Sequence, residues 1–73
     1  MKATIKVMHI EFVATMERDG EWVAMKLTHD VRGYDGKVTT AAAERALAER
    51  HDGTENMFYN LLSVKATTET VNI

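Results

Sequence analysis

The sequence predicts a small α+β domain with a ββαβ order, in which a three-stranded antiparallel sheet carries one helix packed on one face. Three observations support this: an Asp-Gly turn between two β-prone runs, an alanine-rich segment with marked ends, and a closing segment rich in Thr and Val. The 73 residues are expected to form a single domain, residues 1–73, because so short a chain buries only about 60% of its unfolded surface.

The pair Asp19-Gly20 predicts a tight hairpin turn, because both residue types tolerate the positive φ angles of a two-residue type I′ turn. This turn fixes a register that brings apolar residues opposite one another on one face. The pairs are Met16/Val23, Ala14/Met25, Phe12/Leu27 and Met8/Val31, with Ile10/His29 among them. A slip of one residue would move all of these side chains to the other face, so the pattern favours this register.

The other face of the hairpin is predicted to be mostly solvated. Its pairs are Glu17/Trp22, Thr15/Ala24, Val13/Lys26, Glu11/Thr28 and His9/Asp30. We interpret His9 and Asp30, with Glu11 nearby, as a surface pair and not as a metal or acid–base site, since an exposed pair contributes only about 0.2–1 kcal/mol and needs no function to explain it. Trp22 and Val13 are the apolar exceptions on this face.

Before Met8 the apolar residues change parity, because Ala3, Ile5 and Val7 are odd-numbered while those of the hairpin core are even-numbered. A β-bulge at Val7-Met8 would keep both halves of a bent strand facing one core, and this is our prediction. The alternative is an unbroken strand in which Ala3, Ile5 and Val7 face a partner.

An alanine-rich helix is predicted between Thr39 or Thr40 as the N-cap and Gly53 as the left-handed residue that follows the helix. Leu47 is its only large apolar residue, and small neighbours such as Ala43 allow close approach to the sheet.

A third strand is predicted over Leu61 to Val71, with Met57-Phe58-Tyr59 as an apolar plug leading into it. A right-handed crossover lays this strand beside the first, which gives the strand order 2-1-3. The helix then covers one face of the sheet, and nothing in the predicted elements covers the other.

The sequence indicates no enzyme and no cofactor. The absence of cysteine excludes a disulfide framework, a thiolate zinc site, an iron–sulfur cluster and a thiol nucleophile. The single serine, Ser63, falls in a predicted strand, where no turn exposes it as a nucleophile. The glycines mark turns and lack a phosphate-binding spacing.

Four basic residues are predicted near the open end of the hairpin: Lys2, Lys6, Arg32 and Lys37. They are the candidate contacts for a nucleic acid, but we do not expect such binding, because the net charge is −2 and the pI near 5.8, whereas nucleic-acid binders typically exceed a pI of about 9. No apolar run approaches the roughly 20 residues that span a bilayer, so no membrane association is expected and the chain is predicted to be cytoplasmic.

The segments Phe12–Gly20 and Ala41–Ala48, an Asp-Gly hairpin followed by an alanine-rich helix and a closing strand, resemble the layout of short bacteriophage host-takeover proteins. These include host RNA polymerase inhibitors and anti-CRISPR proteins. The resemblance implies a mechanism in which the chain blocks a larger host complex by stoichiometric binding in the bacterial cytoplasm, and it transfers no functional residue.

The predicted function is therefore that of a small inhibitor or regulator which binds a protein partner. The candidate contacts lie on the uncovered face: Trp22, Val13, Ala24 and Lys26. We also expect a homodimer, because this face and the two outer strands lack partners. A nucleic-acid-associated protein and a homodimeric structural module are the alternatives.

Overall fold

The chain forms a three-stranded antiparallel sheet and one helix, seen in a computed structural model that describes residues 1–50 and 57–73. The elements are β1 (Lys2–Arg18), β2 (Glu21–Arg32), α1 (Thr40–Arg50) and β3 (Met57–Asn72). The strand order is β2-β1-β3, so β1 is central while β2 and β3 form the edges. The predicted fold class and strand order are confirmed. In the described ranges, no helix has the length and apolar character needed to cross a membrane.

The hairpin of β1 and β2 has the predicted register. Asp19 and Gly20 adopt φ angles of 53° and 81°, which suit the two central positions of a type I′ turn. Met16 pairs with Val23 near the turn, and Met8 pairs with Val31 at the far end. The Asp-Gly turn and the alternating apolar residues therefore specify the same pairing.

The core lies between α1 and one face of the sheet. Its fully packed members are Met8, Ile10, Phe12, Ala14, Ala43 and Leu47. Phe12 is completely buried, and its ring meets the Tyr59 ring edge to face, with centroids 5.3 Å apart and planes at 88°. Since the helix contributes mainly alanines, the larger side chains of the sheet fill the space between the two layers.

The N-terminus of α1 is capped by Thr39, one of the two predicted candidates. The Thr39 hydroxyl oxygen accepts a hydrogen bond from the Ala42 N–H at 3.1 Å, and the Thr39 carbonyl accepts one from the Ala43 N–H at 3.0 Å. The first bond satisfies an N–H group that has no partner inside the helix, and the second is the first i→i−4 hydrogen bond of α1. The predicted C-terminal residue, Gly53, lies outside the described residues.

The start of β3 corrects one prediction. The segment Met57-Phe58-Tyr59 is part of the strand and not a plug before it, and it pairs with Met16, Thr15 and Ala14 of β1. Met57 and Tyr59 pack against the core, whereas Phe58 between them is exposed. This alternation is that of a half-buried strand, and it gives β3 a length of 16 residues.

The bulge predicted at Val7-Met8 is also wrong, because β1 pairs with β3 without a shift at those residues. The register shift lies instead between Phe12/Leu61 and Glu11/Ser63, which makes Leu62 of β3 the extra residue. An extra residue in the central strand would disturb two hydrogen-bond ladders, whereas one in an edge strand disturbs a single ladder. Val7 and Met8 are both buried, and they face opposite sides of the sheet.

Candidate functional site

The sheet face opposite α1, called the outer face below, carries exposed apolar side chains near the hairpin turn. Trp22 is 54% exposed, Phe58 62% and Leu62 52%. Leu62 is the extra residue of the β3 bulge, and we assign it to the outer face because it is exposed and is not among the side chains packed against the core. We call Trp22, Phe58 and Leu62 the outer apolar patch.

Two members of the outer apolar patch contact each other across the central strand. Trp22 of β2 lies opposite Glu17, and Phe58 of β3 lies opposite Thr15. Their ring centroids are 5.7 Å apart with planes inclined at 31°. An aromatic pair at this distance contributes about 0.5–1.5 kcal/mol beyond its buried area, so the two rings form one defined surface.

The other predicted partner contacts lie beside this patch. Ala24 pairs with Thr15, and Val13 lies between Lys26 and Asn60, so both small apolar residues continue the surface. Lys26 is largely exposed, and its Nζ lies 3.9 Å from the Glu11 carboxylate. The structure thus places Trp22, Val13, Ala24 and Lys26 on one face, as expected from the register.

Sequence reasoning missed Phe58 and Leu62. Phe58 was assigned to a plug outside the sheet, and Leu62 changes face only because of the bulge. The signal for Phe58 was present, since Met57, Tyr59 and Leu61 alternate in the manner of a core-facing strand. The position of Leu62 depends on the pairing of β3 with β1, which no local pattern reveals.

The middle of the outer face is polar. His9 Nδ1 is hydrogen bonded to an Asp30 carboxylate oxygen, and His9 Nε2 lies 3.7 Å from a Glu11 carboxylate oxygen. The predicted cross-strand pair is therefore formed. Among the described residues, no group of three or more His, Cys, Asp or Glu side chains has a geometry that could hold a metal ion.

The four basic residues of the open end do not form one patch. Lys2 and Lys6 occupy even positions of β1, whereas Arg32 pairs with Val7 and so lies on the outer face. The Arg32 guanidinium donates two hydrogen bonds to the Glu69 carboxylate, at 2.9 and 3.0 Å, and its charge is thereby balanced. Lys37 lies in the connection between β2 and α1, where its carbonyl accepts a hydrogen bond from the Tyr34 hydroxyl.

His29 lies on the core side of the sheet opposite Ile10. Partial burial lowers its pKa below 6.5, the nearby positive charge of Arg50 lowers it further, and Asp30 acts in the opposite direction. Burial and the charge of Arg50 therefore favour the neutral imidazole over the charged form.

A groove of about 470 Å³ lies between the connection that follows β2 and the neighbouring part of the sheet. Its lining includes Tyr34, Val38, Ala66 and Thr68, with Lys6 at its edge.

Comparison with models of protein families and with curated proteins finds no match for this chain.

Proposed function

We propose that this chain is a small non-enzymatic protein that acts by binding a larger protein through the outer apolar patch. The observation that carries the proposal is the exposure of Trp22, Phe58 and Leu62 on a sheet face that none of the described elements covers. Large aromatic and aliphatic side chains that are solvated in the free protein have the most apolar area to bury in a partner, and Trp is among the residues most enriched at the energetic centres of interfaces.

The surroundings of the patch fit a protein partner. Val13 and Ala24 extend the apolar area, while Lys26, Glu11 and His9 supply a polar border on the same face. An apolar centre with a polar rim is the usual anatomy of a specific protein interface. Because the patch is carried by paired strands, little conformational entropy is lost when a partner binds.

The biological role that we propose is inhibition of a larger host complex by stoichiometric binding, with the chain encoded by a phage or a mobile element. The support is the layout shared with short host-takeover proteins of bacteriophages. The alternative role on nucleic acid has less support, because Arg32 is paired with Glu69 and faces away from Lys2 and Lys6. A strong phosphate interaction needs several free cations on one surface.

The experiment compares three tagged proteins as baits in a bacterial lysate: the parent, the double variant Trp22→Ser/Phe58→Ser and the control Ile73→Ser. Ile73 is 75% exposed but lies at the far end of the sheet, so its substitution removes an exposed apolar side chain without touching the patch. We expect the parent and the control to retain the same host protein and the double variant to lose it.

The retained protein is then purified and titrated by calorimetry, with circular dichroism to verify that each bait is folded. A one-to-one complex weakened at least about tenfold by the double substitution supports the proposal, since hot-spot aromatics commonly carry that much affinity. Equal affinity of a folded double variant and the parent would remove the patch from the interface.

A further inference from the structure

Edge strand β3 is long, and within residues 1–50 and 57–73 no strand pairs with the side of it that faces away from β1. The residues from Lys65 to Thr70 are exposed, whether they point to the outer face or to the helix side. α1 lies against the other half, where Leu47 and Ala48 line a groove with Met57, Tyr59 and Leu61. The backbone N–H and C=O groups on the free side of such an edge are a template for another strand.

We propose that β3 pairs antiparallel with β3 of a second copy of this chain, around a two-fold axis at Thr67. The two sheets then join into one continuous sheet of the order β2-β1-β3-β3-β1-β2. This goes beyond the proposed function, because it concerns the sheet edge and not the outer apolar patch.

Charge complementarity defines the register. A two-fold axis at Thr67 brings Lys65 of each copy directly opposite Glu69 of the other, on the outer face. Opposite charges in directly facing positions of an antiparallel pair are stabilising, and like charges are destabilising. The pairing also sets Thr67 against Thr67 and Ala66 against Thr68, which are small or β-branched contacts suited to a sheet.

Neighbouring registers lack this match. An axis moved to Lys65 or to Glu69 sets like charges against each other. An axis moved by one residue, to Ala66 or to Thr68, keeps the two faces matched but sets Lys65 and Glu69 opposite uncharged residues. Only the axis at Thr67 places both Lys65 and Glu69 directly opposite a residue of opposite charge in the second copy.

Lys65 is also available for this contact. Among the described residues no carboxylate lies within ion-pair distance of it, whereas Glu69 already accepts two hydrogen bonds from Arg32. In the dimer the Glu69 carboxylate lies between two cations, Arg32 of its own chain and Lys65 of the second copy. Arg32 thereby holds Glu69 in place for the second chain.

Strand β2 forms the other edge and has two opposite charges at the same spacing, but both of these side chains already have partners. Lys26 and Asp30 of β2 could face each other across a two-fold axis at Thr28, yet Lys26 lies near Glu11 and Asp30 is bonded to His9. The 12 residues of β2 also offer a shorter edge than the 16 of β3. These differences favour β3.

The test is a charge swap followed by analytical ultracentrifugation over micromolar to sub-millimolar concentrations. The parent is expected to sediment at twice the 8.2 kDa of the single chain. Lys65→Glu sets two pairs of carboxylates against each other and should weaken the dimer about tenfold or more. The double variant Lys65→Glu/Glu69→Lys reverses both charges across the interface and should restore the dimer in part, because the lysine at position 69 then lies beside Arg32.

A mixture of Lys65→Glu and Glu69→Lys chains offers a second rescue, because only the heterodimer matches opposite charges at both contacts. Lys26→Glu is the matched control, since it makes the same change on the other edge and should leave the mass unchanged. Circular dichroism verifies folding for every variant. A parent that is monomeric throughout, a folded Lys65→Glu chain that remains as dimeric as the parent, or a dimer lost in Lys26→Glu would overturn the proposal.

Discussion

Phe12 and Trp22 lie on neighbouring strands and face opposite sides of the same sheet. Phe12 is fully buried against Tyr59, with the Arg50 guanidinium 5.7 Å from its ring centroid, whereas Trp22 is 54% exposed and contacts Phe58. The two aromatic residues should therefore respond very differently to truncation.

Phe12→Ala is expected to cost about 3–5 kcal/mol of unfolding free energy, because it removes a core aromatic that α1 and the sheet enclose. In a domain with so small a core, this loss can abolish folding. Urea denaturation followed by circular dichroism measures the effect. A variant that unfolds at the parent's urea concentration would mean that the core has been assigned to the wrong face.

Trp22→Ala is expected to leave the fold intact and to cost far less than Phe12→Ala, about 1 kcal/mol, mainly through the lost contact with Phe58. The same substitution in a Phe58→Ala background should cost less still, because the ring contact is already absent. Urea denaturation of the four proteins of this double-mutant cycle gives the coupling energy. Full additivity would show that the rings do not interact in solution.

Thr39→Ala is expected to destabilise the protein by about 1 kcal/mol, since the Thr39 hydroxyl accepts the hydrogen bond from the Ala42 N–H. Thr40→Ala is the matched control: Thr40 is the first residue of α1, is exposed, and does not provide this cap. Thermal and urea denaturation of both variants measure the difference. Equal effects would contradict the assignment of Thr39 as the N-cap.

His29 should make stability depend on pH. Burial, aided by Arg50 and opposed by Asp30, lowers its pKa below 6.5 in the folded state, so the unfolded chain binds the proton more readily. The contribution of neutral His29 to the unfolding free energy is fully present above pH 6.5. It is lost as the pH falls from 6.5 through the pKa of His29 in the folded state. We therefore expect the parent to lose more unfolding free energy than His29→Gln between about pH 7.5 and pH 5.

A nuclear magnetic resonance titration of the His29 ring gives the independent measurement, with an expected midpoint below 6.5. A midpoint above 6.5, or identical pH dependence in the parent and His29→Gln, would show that burial does not dominate.

The hairpin could be predicted because two independent signals agree. The Asp19-Gly20 turn fixes the pairing, and apolar residues at alternate positions fix the face, so a wrong register would have violated both. The same two signals predict the positions of Trp22 and Val13 on the uncovered face.

The rest depends on long-range pairing that no local pattern contains. The parity change at Val7 suggested a bulge, but β1 is bonded on both sides there and stays regular, so the irregularity moves to Leu62 in the edge strand. The Arg32–Glu69 ion pair is similarly invisible in the sequence, since 37 positions separate the two residues. Of the three residues of the outer apolar patch, Leu62 is therefore the one that no local sequence pattern could place.

Because the three strands differ in length, β1 has two regions whose backbone amides should be protected from hydrogen exchange to different degrees. From Val7 onward β1 has a strand on each side, whereas Lys2–Ile5 pairs only with Glu69–Asn72. A two-stranded ribbon is marginally stable in water, so its backbone should open locally while the segment around Phe12 opens only when the whole domain unfolds. Amide hydrogen exchange should therefore slow by orders of magnitude along a single continuous strand, and a second copy on β3 would protect the ribbon by giving it a third strand.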